Sequence, residues 1–81
     1  MEVLTLEKAK EMLKSGKITE EDKQKLLENL KIRKKTLEKT MFEIRQEKNI
    51  ARFAALCQKF LFDYEDYLHF KEVCWHAGIK L

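Results

Sequence analysis

Arg45-Gln46-Glu47-Lys48-Asn49-Ile50-Ala51-Arg52-Phe53 is the stretch whose reading decides the fold. From Glu20 to His76 nothing breaks a helix, since the chain has no proline and its only glycines are Gly16 and Gly78. One continuous helix of that length would run about 85 Å and would need a copy of itself to bury its apolar side. A turn at Gln46-Glu47-Lys48-Asn49 would instead give an antiparallel hairpin with arms of similar length. The composition changes at this point. Upstream, Leu26, Leu30, Leu37, Met41 and Ile44 fall on one narrow seam of coiled-coil type, interrupted where Arg33 and Lys34 replace an apolar residue. Downstream, seven of the eight aromatic residues lie between Phe53 and Trp75, and charge becomes sparse. A second stripe runs through Ile50, Ala54, Cys57, Leu61, Tyr64, Leu68 and Trp75, flanked by Phe53, Leu56, Phe60 and Tyr67. A narrow seam facing a wide aromatic one is a natural pairing, which favours the hairpin. The missing glycine at the turn opposes it, although Asn49 tolerates the left-handed conformation.

Working towards the N-terminus, Thr19 reads as an N-cap, with Asp22 at the N3 position of a capping box. Glu20, Glu21 and Asp22 set negative charge against the positive end of the helix dipole. Gly16 ends a preceding short helix that Thr5 can cap, with Leu6, Ala9, Met12 and Leu13 on one side. The run from Leu13 through Gly16 and Ile18-Thr19 to Glu20-Glu21 resembles the small helical hairpins appended to bacterial proteins. The expected fold is therefore all-α: a short N-terminal helix (about 5–15) followed by a long antiparallel helical hairpin (about 20–46 and about 50–76), in one small domain spanning 1–81. The competing architecture is one long coiled-coil helix that self-associates.

Composition limits what such a chain can be. Eighty-one residues bury only about 60–65% of the surface the unfolded chain exposes, so extra support from a partner or a second copy is expected. Cys57 and Cys74 are too few for a disulfide scaffold. Met1 and Glu2 lead into a charged amphipathic stretch and not an apolar leader, and the longest apolar run, Phe53 to Cys57, is far too short to span a membrane. The expected location is cytoplasmic, with reduced thiols, no membrane association, and a start that reads as a complete small open reading frame.

No catalytic residue, metal site or cofactor is expected. Cys57, His69, Cys74 and His76 are ligand types, but on one helix His69 and His76 stand ~10 Å apart along the axis, whereas zinc gathers its ligands within ~2.3 Å. Cys74 and His76, two residues apart, point to nearly opposite sides. No glycine-rich phosphate loop can be formed around Gly16 alone. An enzyme is not expected.

Binding of another macromolecule is what remains. Phe62, Phe70 and Val73 lie on the side of the last helix opposite the Ile50-to-Trp75 stripe, and a hairpin arm can cover only one of those sides. With Tyr67 and Trp75 they form the expected partner-binding set, aromatics being the residues that dominate interface energy. The expected activity is non-enzymatic protein binding by a small helical regulator, adaptor or inhibitor, with another protein or a second copy as partner. A composition rich in Lys, Ile, Phe and Glu also fits a phage or mobile-element product that blocks a host or defence protein. The alternative is a nucleic-acid-binding accessory protein using the basic ridge Lys31, Arg33, Lys34, Lys35, Lys39 and Arg45. The net charge of +3 is too mild to identify such a protein, and the interleaved glutamates Glu28, Glu38, Glu43 and Glu47 fit a solvated helix face equally well.

Overall fold

The two long helices part at Glu47, Lys48 and Asn49 without any left-handed residue. Glu47 (φ −78°, ψ 127°) and Asn49 (φ −83°, ψ 121°) are both extended. The Asn49 side chain accepts a hydrogen bond from Arg52 N at 3.1 Å, while the Glu47 carboxylate accepts one from Asn49 N at 3.0 Å. Asn49 thus serves the turn as an N-cap for the following helix, which removes the objection that a turn here requires glycine. In the computed structural model, which describes residues 3–81, the elements are α1 (Leu6–Lys14), α2 (Glu20–Gln46) and α3 (Ile50–His76). Met1 and Glu2, on which the absence of an apolar leader was read, lie outside the described residues. The chain is a short helix followed by an antiparallel hairpin, and α2 packs along α3.

The hairpin seam has a strict heptad rhythm on both sides. On α2 and its cap a line of buried and half-buried positions runs Leu26, Leu30, Arg33, Leu37, Thr40, Ile44 and Glu47; on α3 and its cap it runs Leu56, Phe60, Asp63, Tyr67, Phe70, Cys74 and Ala77. Both series step alternately by four and three, the spacing that keeps a narrow seam facing its partner along a two-helix coil. This corrects the expected stripe on α3. Each of Cys57, Leu61, Tyr64, Leu68 and Trp75 stands one residue beyond a seam residue, hence about 100° round the helix, and none of them forms the hairpin seam. Two contacts hold α3 in this rotation: Arg33 Nε donates to Asp66 Oδ2 at 2.8 Å, and the Cys74 thiol donates to Leu26 O at 3.8 Å.

Packing is uneven along the hairpin. At the end away from the turn, α1 and the C-terminal tail close over α2 and α3. Leu4, Ala9, Leu26, Leu30, Phe70, Val73, Cys74 and Ile79 form one buried cluster. The tail gets there by a left-handed Gly78 (φ +85°). Gly78 N bonds Trp75 O and Ile79 N bonds Cys74 O, which turns Ile79 back into the core. Gly16 (φ +69°) ends α1 in the same way, with Ser15 Oγ donating to Met12 O and accepting from Lys17 N. Thr19 and Asp22 form the reciprocal capping box at the start of α2. Towards the turn the seam is thinner. Leu37 and Thr40 are buried, but Asp63 stands in the seam with one carboxylate oxygen buried and without a hydrogen-bond partner, its ion partner Lys59 lying 3.8 Å away.

Candidate interaction surface

The N-terminal segment is bolted to α2 by two polar side chains. Asn29, 1% exposed, accepts from Leu4 N at 2.8 Å through Oδ1, and its amide nitrogen donates to Lys25 O. Arg33 Nη2 donates to Leu4 O at 2.7 Å, and its guanidinium carbon sits 4.0 Å from the centroid of the Phe70 ring. Both backbone polar groups of Leu4 are therefore satisfied while its side chain enters the core. A sequence scan for apolar periodicity misses this clamp, because Arg33 reads there as an interruption of the seam and Asn29 stands off it.

That clamp reshapes both expected sites. Arg33 is withdrawn from the basic ridge, its side chain 15% exposed and committed to Asp66, Leu4 and Phe70. Lys31, Lys34, Lys35, Lys39 and Arg45 remain exposed on α2. The patch expected at Phe62, Phe70 and Val73 does not exist as a unit. Phe70 (0% exposed) and Val73 belong to the core under α1, whereas Phe62 (71%) stays in water. The reason is reach. A nine-residue α1 is only about 14 Å long, and Phe62 lies two turns, about 12 Å, from Phe70. Tyr67 is half-buried in the hairpin seam, 6.5 Å from Tyr64 between ring centroids, and Trp75 is exposed at the far end of α3.

What the structure leaves uncovered is the stripe that sequence periodicity assigned to the core. Ile50 (85% exposed), Phe53, Leu61 (64%), Tyr64, Leu68 and Trp75 (68%) all face solvent along α3. From Ile50 to Trp75 the stripe is about 37 Å long. It lies on the side of the hairpin turned away from α1, and the positions of α2 one residue beyond its own seam turn to the same side: Leu27, Lys31, Lys34, Glu38, Met41 and Arg45. Open grooves lie between the helices on this side. One is lined by Leu37, Glu38, Met41, Phe42, Arg45 and Phe60, another by Leu30, Lys31, Lys34, Tyr67, Lys71 and Leu81. The outer edge of the α3 stripe is acidic, with Glu65 and Glu72 each near a histidine one turn on. The face is thus apolar down α3 apart from Lys71, mostly basic along α2, and carries Glu65 and Glu72 on its outer rim.

Reactive chemistry is sparse here. Burial pushes the Cys74 thiol up to about 11, so it stays protonated in the core. Cys57 is half-buried within the stripe. Among the described residues no three His, Cys, Asp or Glu side chains are grouped to hold a metal ion, and no helix is long and apolar enough to cross a membrane. No protein-family model matches the chain, and no curated protein or solved structure matches it either.

Proposed function

We propose that this chain is a non-enzymatic protein-binding module, a small helical regulator or adaptor that docks a helix of its partner along the free face of α3. The observation that carries this reading is the second heptad line on α3, Ile50 to Trp75, apolar in sequence except at Lys71 and left in water by the hairpin. A heptad-spaced stripe is what a partner helix reads, each side chain entering a gap between four on the facing helix. Large apolar side chains exposed in a continuous line are rare on chains that act alone. The groove at Met41, Phe42 and Phe60 widens the same face at the turn end of the hairpin.

The test is a tagged pull-down from the native host's lysate, half of it nuclease-treated, run beside a Leu61→Glu, Leu68→Glu double variant. The reading expects a discrete protein band, endogenous copies of this chain included, that survives nuclease and high salt and is missing with the variant. Retention of nucleic acid alone, released as salt rises, would replace it with the basic ridge of Lys31, Lys34, Lys35, Lys39 and Arg45 as the working surface.

A further inference from the structure

We infer that the partner on the free face of α3 is a second copy of this chain, the two α3 helices pairing in parallel as a coiled coil with the α2 helices on opposite flanks. This rests on the reading of α3 as a docking helix and names what docks there. Three features of the face select this occupant.

The first is area. The exposed fractions of Ile50, Leu61, Tyr64, Leu68 and Trp75 leave on the order of 600 Å² of side chain in water, against ~800 Å² per partner in a standard stable interface. The largest patch of an ordinary monomer is about 300–600 Å². One α3 stripe laid on another faces this line along its length, with Leu81 of the tail beside Leu68 and Trp75 at one end. The second is rotation. The stripe stands about 100° round from the hairpin seam, close to the right angle between the two neighbours of a helix in a four-helix assembly. A second helical layer can therefore sit on α3 without disturbing α2. The third is charge. A twofold axis perpendicular to the helices and crossing the face would stack the two α2 flanks, setting Lys31 of each copy near Arg45 of the other and Glu38 near its own copy. An axis parallel to the helices sends the α2 helices to opposite sides. Each lysine row then faces the Glu65 and Glu72 rim of the other copy, and opposite rows attract where like rows repel.

The parallel axis places like residues at one level, Leu61 beside Leu61 and Leu68 beside Leu68. Lys71 is the one charged position in the line, between Leu68 and Trp75. A single polar seam residue costs some stability and holds the alignment in register. The same alignment sets Cys57 of the two copies side by side in one layer, within the ~4.4–6.8 Å between Cα atoms that a disulfide spans. In an antiparallel pair centred on the stripe the two Cys57 would be separated by about 16 Å along the axis.

The experiment is sedimentation equilibrium on the purified chain at tens of micromolar, with helicity followed by circular dichroism. The wild type should sediment at twice the chain mass. Leu61→Glu with Leu68→Glu should sediment as the monomer with unchanged helicity, since both positions are exposed within one chain, and Phe62→Ser on the opposite side should remain dimeric. Mild oxidation should then join the wild-type pair through Cys57, and Cys57→Ser should abolish that product. A monomeric wild type overturns the pairing; the module reading then stands or falls separately on whether the same double variant loses a protein band in the pull-down. A dimer that survives the double variant overturns the assigned face. A dimer that the double variant breaks but that never cross-links at Cys57 overturns the parallel alignment.

Discussion

Phe62 and Phe70 look alike in the sequence and part company in the fold. Both stand on the same side of α3, but only Phe70 lies within reach of α1, under the Arg33 guanidinium and against the buried cluster. Phe70→Ala should cost about 3–5 kcal/mol, enough to unfold a chain of this size. Phe62→Ser should change stability by less than about 0.5 kcal/mol. Urea denaturation followed by circular dichroism separates the two, and equal effects would contradict the core described here. Cys74 makes a second residue-scale case. Its thiol is raised from 9.0 to about 11 by burial, so below pH 9 it is protonated both folded and unfolded and contributes no pH dependence. Between those values the unfolded chain releases a proton that the folded chain keeps, so stability falls as pH rises, by about 2–3 kcal/mol in all. The difference between wild type and Cys74→Val should therefore be flat below pH 9 and shift against the wild type above it. In the Leu61→Glu, Leu68→Glu variant, where the face is open, a thiol reagent should label Cys57 before Cys74, which should react only on unfolding.

Helix α1 is held less by its own length than by what precedes it. Nine residues are too few for a stable isolated helix, and its Thr5 cap supplies a single hydrogen bond from Lys8 N. The anchor is Leu4, with both backbone groups gripped by Asn29 and Arg33. Asn29→Ala should leave the Leu4 amide buried without an acceptor, costing about 1–3 kcal/mol, and should free α1 before the hairpin unfolds. Limited trypsin digestion reads this directly, because Lys8, Lys10, Lys14 and Lys17 would become cleavable while fragments containing α2 and α3 persist. Protection of those lysines in the variant would show that apolar contacts of Ala9 and its neighbours suffice to dock α1. The caps at Thr19 and the stop at Gly16 were legible from the sequence, because capping depends on residues within one turn of each other. The Asn29–Leu4 clamp was not, since its partners are 25 positions apart and a buried asparagine has no periodic signature.

Across the molecule, which measures 48 × 21 × 17 Å, packing is concentrated at one end. Three helices and the tail share the cluster around Phe70, while the turn end is a two-helix stalk whose seam contains Asp63 and whose Phe42, Ile50 and Phe53 are exposed. Amide exchange in the Leu61→Glu, Leu68→Glu variant should be slowest around Leu26, Leu30 and Phe70 to Cys74. It should quicken towards Ile44 to Leu56, reporting local opening of the stalk below the global unfolding free energy. Uniform protection along α2 and α3 would mean that the hairpin opens as a single unit.

The sequence by itself determined the helices and the hairpin: no proline, two glycines placed at helix ends, a capping box at Thr19, and a change of character at Asn49 are local signals that act within a turn or two. It also showed that α3 carries more apolar surface than one neighbour can cover. Only the tertiary structure decided which part of that surface is covered. Two apolar lines about 100° apart on one helix are equivalent to any count of periodicity. The choice between them came from contacts distant in sequence: Arg33 to Asp66, Cys74 to Leu26, and α1 closing on Phe70 and Val73. Those contacts turn the Leu56-to-Ala77 line inward and leave the Ile50-to-Trp75 line in water, because a side chain can be buried only where another part of the chain reaches it.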